Sequence, residues 1–143
     1  IECEVAFWCD AKGQIQAVAP AFELVFVQFS QPTDMTAANL VASNMGADLY
    51  IVGDRLPWSA NLQEIAMVLR RDGVVVNDTS AAEALDGPLR AAQWMWKEAQ
   101  NRQFVCGEQT LFLAGACGQV VPASCGCYEA DFGPLGRLSL EVA

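Results

Sequence analysis

In the stretch IECEVAFWCD, residues 1–10, two sets of side chains occupy alternate positions. One set of side chains is apolar or carries a thiol, and the other set holds the carboxylates together with an alanine and a tryptophan. The first set is Cys3, Val5, Phe7 and Cys9, and the second is Glu2, Glu4, Ala6, Trp8 and Asp10. Successive side chains of an extended chain point to opposite faces, so the pattern predicts a strand over residues 2–9 with the first set facing inward.

An amino-terminal hairpin is predicted from the residues that follow this strand. Turn-forming residues at 10–13 lead into extended chain over residues 14–18, which Pro20 interrupts. The next run, residues 22–29, predicts a further strand.

The middle of the chain predicts three helices that alternate with short strands, because its apolar residues recur at helical spacing between cap and stop signals. The strands are predicted at residues 49–52 and 74–76, and Gly46 and Gly73 end the first two helices. The predicted helix caps are Thr33 or Asp34, then Asn61 with Glu64, then Asp86 with Pro88 at the first helical position.

Short strands separated by glycine and proline are predicted after Gln103, a pattern typical of antiparallel hairpins. They are residues 104–106, 110–114, 120–121 and 138–142. The sequence therefore predicts an α/β or α+β fold in a single domain, residues 1–143. We expect a mixed sheet with a central βαβαβα segment (residues 22–102), an amino-terminal hairpin and a carboxyl-terminal antiparallel meander.

Composition excludes several kinds of chemistry. The 143-residue chain has no histidine, which excludes histidine bases and histidine-ligated metals. Its net charge of −9, with eight Lys plus Arg, argues against nucleic acids and anionic membranes as partners. The longest apolar run, residues 17–29, is too short for a membrane span. We therefore predict no metal site, no nucleic-acid partner and no membrane span.

The six cysteines lie near the two ends of the chain: Cys3, Cys9, Cys106, Cys117, Cys125 and Cys127. Cys3 and Cys9 lie about 20 Å apart along one strand, so they cannot bond to each other within a subunit. Disulfides would instead tie the first strand to the last third of the chain or to another subunit, and the alternative is that these cysteines are small buried apolar residues. The Cys-Gly-Cys sequence at 125–127 matches no zinc-ligand spacing.

The apolar content also predicts contacts between subunits. Apolar residues make up 53% of the chain and charged residues 17%, against about 45–50% and about 25% in ordinary soluble domains. We therefore expect a homo-oligomer or a subunit of a larger assembly, with Trp8, Trp94 and Met95 as candidate contact residues. A fully apolar inner sheet in a monomer is the alternative.

Residues 25–36, VFVQFSQPTDMT, followed by a helix and by GADLYI at 46–51, resemble the first strand, phosphate loop and first helix of flavodoxin-like proteins. By this resemblance Ser30, Thr33 and Thr36 would hold a flavin phosphate and Trp58 would stack on the ring. Thr33 and Asp34 also serve as ordinary helix caps. The residues themselves favour no cofactor, with FMN as the alternative.

No cluster of catalytic side chains stands out, which favours a noncatalytic function. We expect a structural subunit of an oligomeric particle or extracellular structure, such as a virion, shell or pilus, stabilised by disulfides. One alternative is a small flavodoxin-like or thiol-redox protein that binds a ligand, and another is an acidic inhibitor or immunity-type protein with a basic partner. The start at Ile1 fits either a processed precursor or a trimmed chain. These expectations together predict an extracellular or particle-associated location.

Overall fold

The computed structural model describes residues 1–58 and 62–143, which form two antiparallel sheets and two α-helices. Several short 3₁₀ turns connect them. The strands are β1 (Glu2–Cys9), β2 (Ile15–Val25), β3 (Ala47–Val52), β4 (Leu56–Pro57), β5 (Ala66–Arg71), β6 (Val74–Ser80), β7 (Thr110–Leu113), β8 (Gly126–Asp131) and β9 (Arg137–Val142), and the helices are α1 (Ala37–Ala42) and α2 (Pro88–Asn101).

The first sheet has the strand order β3-β2-β1-β7, with β4 also paired to β2, and the second has the order β6-β5-β8-β9. All strand pairs in the described part of the chain are antiparallel. The main core contains residues of both sheets and of α2. Its aromatic side chains include Phe22 and Phe132, one from each half of the chain, whose ring centroids are 6.1 Å apart.

The alternation in the first strand is confirmed. Cys3, Val5, Phe7 and Cys9 belong to the main core, whereas Ala6 and Trp8 belong to a second, smaller cluster on the opposite face. β1 is therefore buried on both faces and lies at the centre of the first sheet between β2 and β7.

The predicted mixed sheet with a central βαβαβα segment is wrong. The largest error is the second predicted helix, because residues 66–71 form a strand in which Met67 and Leu69 are buried. Asp72 and Gly73 both have positive φ, 50° and 81°, and join β5 directly to β6. An Asp-Gly pair is a strong signal for a two-residue hairpin turn, and here it outweighs the helical spacing of the apolar residues. The predicted cap Asn61 lies outside the described residues.

The first predicted helix is much shorter than expected. Pro32–Asp34 forms a 3₁₀ turn, and the cap of α1 is Thr36, whose hydroxyl accepts a hydrogen bond from the Asn39 N–H at 3.2 Å. α1 ends at Ala42, and none of its residues is buried. The apolar stripe predicted for this helix therefore lies on the surface.

Pro20 does not interrupt the hairpin, because β2 runs through it from Ile15 to Val25. The Pro20 carbonyl accepts a hydrogen bond from Gly53 N–H at 2.9 Å. The amide and carbonyl of one strand residue point to the same side, so the hydrogen that proline lacks would point toward Gly53, just beyond the end of β3. The missing hydrogen bond therefore falls at the end of the β2–β3 pairing and not within it.

The third helix is confirmed with Pro88 at its first position, although its cap is Gly87 and Asp86 instead pairs with Arg90. The hairpin of β8 and β9 confirms an antiparallel carboxyl-terminal end, but β8 itself was not predicted. Residues 104–106 and 120–121 are not strands. Among the residues that the structure describes, no helix combines the length and the apolar character needed to cross a membrane.

Candidate metal centre

Three carboxylates meet at one end of the first sheet, on the face of β1 opposite the main core. They belong to Glu2 and Glu4 of β1 and Glu23 of β2, and one oxygen of each lies within 4.8 Å of the others. Glu4 is only 1% exposed, whereas Glu2 and Glu23 are half-buried. The cluster is therefore closed on the Glu4 side and open on the other.

The strand register brings these residues together. Glu2 and Glu4 are two positions apart on one strand and so share a face. Glu2 lies directly opposite Glu23, and Glu4 lies opposite Ala21. Directly opposed residues have Cβ atoms about 4.5–5.5 Å apart, and the small side chain of Ala21 leaves room beside the buried Glu4. On β3, Tyr50 is opposite Glu23.

The two oxygens of Glu4 have different surroundings. Oε2 accepts a hydrogen bond from the Gly115 N–H at 2.8 Å, just beyond the end of β7. Oε1 is buried and receives no hydrogen bond from an N–H or hydroxyl group of the described residues. A buried acceptor without a partner is costly, so this oxygen marks a position where a ligand would be stabilising.

Burial and neighbouring charge make the ionised form of Glu4 unfavourable. Burial first, and then a hydrogen bond with Glu23 that forms only when one of the two carboxyls is protonated, raise the pKa of Glu4 to about 8. The Gly115 N–H acts in the opposite direction. Burial also raises the pKa of Glu2, followed by the negative charge of Glu23. Ionisation of Glu4 and Glu2 is therefore disfavoured unless a positive charge lies close to them.

The donor set suits a hard divalent cation. All three ligands are carboxylate oxygens, which Mg²⁺, Ca²⁺ and Mn²⁺ prefer. A cation at this position would contact the buried Oε1 of Glu4 and neutralise the like charges. The thiol of Cys3 lies on the other face of β1 and is not available as a ligand.

Beyond the carboxylates, the same face is filled with apolar side chains. Trp8 is 9% exposed and packs in a cluster with Ala6, Ala19 and Ala21. The guanidinium of Arg55 lies 4.1 Å from the centroid of the Trp8 ring, a cation–π contact. Trp8, proposed above as a contact residue, is thus covered within the chain itself.

The six cysteines are free thiols in the structure, and the predicted disulfides stay predictions. Cys3 and Cys117 are neighbours, since the Cys117 N–H donates to the Cys3 carbonyl at 2.8 Å. Burial raises the pKa of both thiols to about 12 and that of Cys9 to about 11. Buried thiols of this kind are chemically unreactive. Cys125 and Cys127 are exposed.

The residues suggested by the flavodoxin resemblance are not brought together. Trp58 follows β4, which pairs with Ala17 and Val18, and its ring lies 6.1 Å from that of Phe7. Ser30, Thr33 and Thr36 follow the other end of β2, about 20 Å away along the strand. The structure therefore forms no pocket from these four residues.

Sequence reasoning does not reveal the carboxylate cluster, because strand alternation only places Glu2 and Glu4 on the face opposite Cys3 and Val5. A usable signal was present: two carboxylates spaced by two residues on one strand, and a third within the apolar run that follows. The register that places Glu23 opposite Glu2 could not be read from the chain alone.

Comparisons with known proteins identify enzymes as relatives. The chain is 25% identical over 132 residues to the TodF product hydratase of Pseudomonas putida, covering 90% of this chain and 49% of that protein. It is 30% identical over 108 residues to a 2-keto-4-pentenoate hydratase of Burkholderia vietnamiensis, covering 73% and 41%. The chain spans about half the length of the curated relatives it matches. No protein-family model matches it.

Solved structures show the fold. The 4-oxalocrotonate decarboxylase from Pseudomonas putida G7, complexed with magnesium and adipate, superposes with a TM-score of 0.84 at 20% identity, covering 96% of this chain and 58% of that one. The same enzyme complexed with calcium and acetate gives a TM-score of 0.81, also at 20% identity, covering 96% and 57%. The chain thus has the fold of this decarboxylase.

These findings correct the functional expectations. The prediction of a noncatalytic virion, shell or pilus subunit is wrong, because the relatives are named hydratases and decarboxylases. The flavodoxin-like, thiol-redox and inhibitor alternatives are overturned by the same finding. So is the expected extracellular or particle-associated location, since the relatives are bacterial metabolic enzymes and not components of particles.

Proposed function

We propose that this chain carries the divalent-cation site of an enzyme that hydrates or decarboxylates short unsaturated 2-oxo acids. The observation that carries the proposal is the cluster of Glu2, Glu4 and Glu23, in which one buried oxygen, Oε1 of Glu4, receives no hydrogen bond from an N–H or hydroxyl group of the described residues. The names of the relatives and the magnesium in one decarboxylase complex support the same reaction class.

The chain's own residues provide a rigid and partly open site. Gly115 N–H fixes the Glu4 carboxylate from behind, and the neighbouring strands hold Glu2 opposite Glu23. Because the latter two are half-buried, one side of the cluster is accessible to a small acid. When bound, a divalent cation supplies a Lewis acid that polarises the carbonyl oxygen of such a ligand.

The test is a calorimetric titration with Mg²⁺ at pH 8, with Glu4→Gln as the test variant. Glutamine keeps the shape of the side chain but loses the charge, so affinity should fall by at least the roughly 10–100-fold typical of losing a supporting residue. Glu141→Gln, which removes an exposed carboxylate from the edge strand β9, is the matched control and should bind as the wild type does.

Activity is measured in parallel as the loss of ultraviolet absorbance of 2-keto-4-pentenoate. We expect turnover that depends on Mg²⁺ and is lost in Glu4→Gln. Equal Mg²⁺ affinity in the wild type and Glu4→Gln, with both folded by circular dichroism, would refute the proposed site.

We also propose that the chain forms a homo-oligomer, in which a second copy covers the surface around α1. Large apolar side chains are exposed there over residues 26–49, more than a monomer usually leaves in one region. They are Phe26, Met35, Val41, Met45 and Leu49.

Sedimentation velocity of the wild type, Val41→Asp and Val105→Asp tests this contact. Val41→Asp places a charge in the apolar surface and should dissociate the oligomer. Val105 is exposed outside this region, so Val105→Asp should leave the oligomer intact. A monomeric wild type, or equal dissociation by both variants, would contradict it.

A further inference from the structure

A short segment between the two sheets makes the backbone contact to the Glu4 carboxylate. Residues 115–119 follow β7 of the first sheet, and the chain continues from them toward β8 of the second. We call residues 115–119 the strap. At its start the Gly115 N–H donates to Oε2 of Glu4 at 2.8 Å, and two residues later the Cys117 N–H donates to the Cys3 carbonyl at 2.8 Å. One side of the strap is therefore bonded to β1.

The other side of the strap is bonded to β6 of the second sheet. Asn77 is only 5% exposed, and both polar atoms of its side chain bind the strap. Its Nδ2 donates to the Cys117 carbonyl at 3.0 Å, and its Oδ1 accepts from the Gln119 N–H at 3.4 Å. The side chain of Gln119 donates in turn to the Val76 carbonyl at 2.6 Å. β6 thus holds the strap at the residues that follow Gly115.

The strap packs so closely on β6 that one of its positions has no room for a side chain. A Cβ added to Gly118 would lie 2.6 Å from Oδ1 of Asn77 and 2.8 Å from Oγ1 of Thr79. Gly118 has a φ of +76°, and Gly115 has a φ of +94°. Both angles favour glycine. The path of the strap is therefore set by its backbone conformation and by its contact with β6.

The orientation of the Glu4 carboxylate depends on this path. The last torsion of a glutamate side chain has only a broad preference, so the side chain alone does not decide which oxygen faces a ligand. Here the Gly115 N–H binds Oε2 and leaves Oε1 without a hydrogen bond from an N–H or hydroxyl group of the described residues. A shift of the strap would lengthen the bond to Gly115 and let the carboxylate turn.

We propose that Asn77 is a positioning residue for the cation site, because it holds the strap so that Gly115 orients Glu4 toward the cation. This inference rests on the proposed function and adds a residue of the second sheet to a site whose carboxylates all lie in the first. Loss of a residue that directly supports a metal ligand typically lowers metal affinity by roughly 10–100-fold. Asn77 acts one contact further from the ligand, so we expect a smaller effect.

Calorimetric titration with Mg²⁺ at pH 8 measures this effect in two variants. Asn77→Ala removes both side-chain hydrogen bonds to the strap and should weaken Mg²⁺ binding by about three- to tenfold. Gln119→Ala keeps Asn77 and removes only the bond to the Val76 carbonyl, so it should weaken binding by about two- to threefold. Because Gln119 is exposed, this second variant should fold as the wild type does.

Two control variants separate positioning from a general loss of stability. Thr79→Val removes a hydroxyl that is buried beside the strap and has no hydrogen-bond partner among the described residues. Leu135→Ala truncates a buried side chain in the turn between β8 and β9 and should destabilise the fold at least as much as Asn77→Ala. Both controls should bind Mg²⁺ as the wild type does, and urea unfolding measures the stability of every variant.

The amide NMR signal of Gly115 reports on the contact through which Asn77 acts. A hydrogen bond to a carboxylate moves an amide proton downfield, so Glu4→Gln should change this signal in the metal-free protein. Asn77→Ala should move the Gly115 amide proton upfield, whereas Thr79→Val and Leu135→Ala should leave it in place. A purely structural role of Asn77 would not produce this difference.

The outcomes are distinguishable. If the wild type binds no Mg²⁺, the proposed function fails and this inference fails with it. If the wild type binds Mg²⁺ and the folded Asn77→Ala and Gln119→Ala variants bind it equally well, the inference alone is overturned. An equal loss of affinity in Leu135→Ala and Asn77→Ala would also overturn it. If Asn77→Ala does not fold, an unchanged affinity and an unchanged Gly115 signal in Gln119→Ala overturn it.

Discussion

The two faces of β1 have different roles: one stabilises the fold, and the other carries the candidate metal ligands. On one face Cys3, Val5 and Phe7 are buried in the main core and stabilise the fold. On the other face, the carboxylates of Glu2 and Glu4 lie close to that of Glu23, and the burial and proximity of these groups lower the stability of the fold. A protein tolerates such a cost where the same groups bind something, so the comparison separates the residues that hold the chain folded from those that serve its chemistry.

Truncating the core face should give the largest loss of stability. Phe7 is fully buried, and Phe7→Ala should lower the free energy of unfolding by about 3–5 kcal/mol through lost burial and a cavity. Urea unfolding in EDTA measures the loss. A change below about 1 kcal/mol would mean that the core face does not hold the fold.

Removing the charge of Glu4 on the opposite face should increase the free energy of unfolding when no metal is bound. Because the pKa of Glu4 is about 8 against an ordinary 4.5, the native state keeps a proton that the unfolded chain releases, and stability should fall as pH rises between those values. Glu4→Gln cannot ionise, so in EDTA at pH 8 it should be more stable than the wild type.

Thermal unfolding of the metal-free protein from pH 5 to 8.5 measures this difference. The wild type should lose stability steadily across the range, and Glu4→Gln should lose less, with Glu141→Gln following the wild type. If the stability of the wild type and of Glu4→Gln changed in parallel with pH, ionisation of Glu4 would not destabilise the fold, which would contradict this prediction.

The smallest effect is expected at the far end of the carboxylate face. Arg55→Ala removes the cation over the Trp8 ring and should cost about 0.5–1 kcal/mol in urea unfolding. Gln109→Ala, which removes only the hydrogen-bond partner of Arg55 at 3.0 Å, should cost less. The reverse order would mean that the hydrogen bond, not the ring contact, positions Arg55.

The sequence predicted the two faces of β1 correctly because strand alternation is a local property. It failed for residues 62–73, where the helical spacing of apolar residues competed with the Asp72-Gly73 turn and pairing to β6 and β8 decided the outcome. The carboxylate cluster could not be predicted from the sequence for a related reason. Glu23 joins Glu2 and Glu4 only through the register of β1 and β2, which depends on long-range contacts.

The most direct test of the central claim is anomalous diffraction from crystals of this chain soaked in Mn²⁺, a hard cation that scatters anomalously. We expect a single strong peak within bonding distance of oxygens from Glu2, Glu4 and Glu23, including Oε1 of Glu4. A well-diffracting Mn²⁺-soaked crystal with no peak there, or with its strongest peak at other carboxylates, would contradict the assignment of this cluster as a cation site.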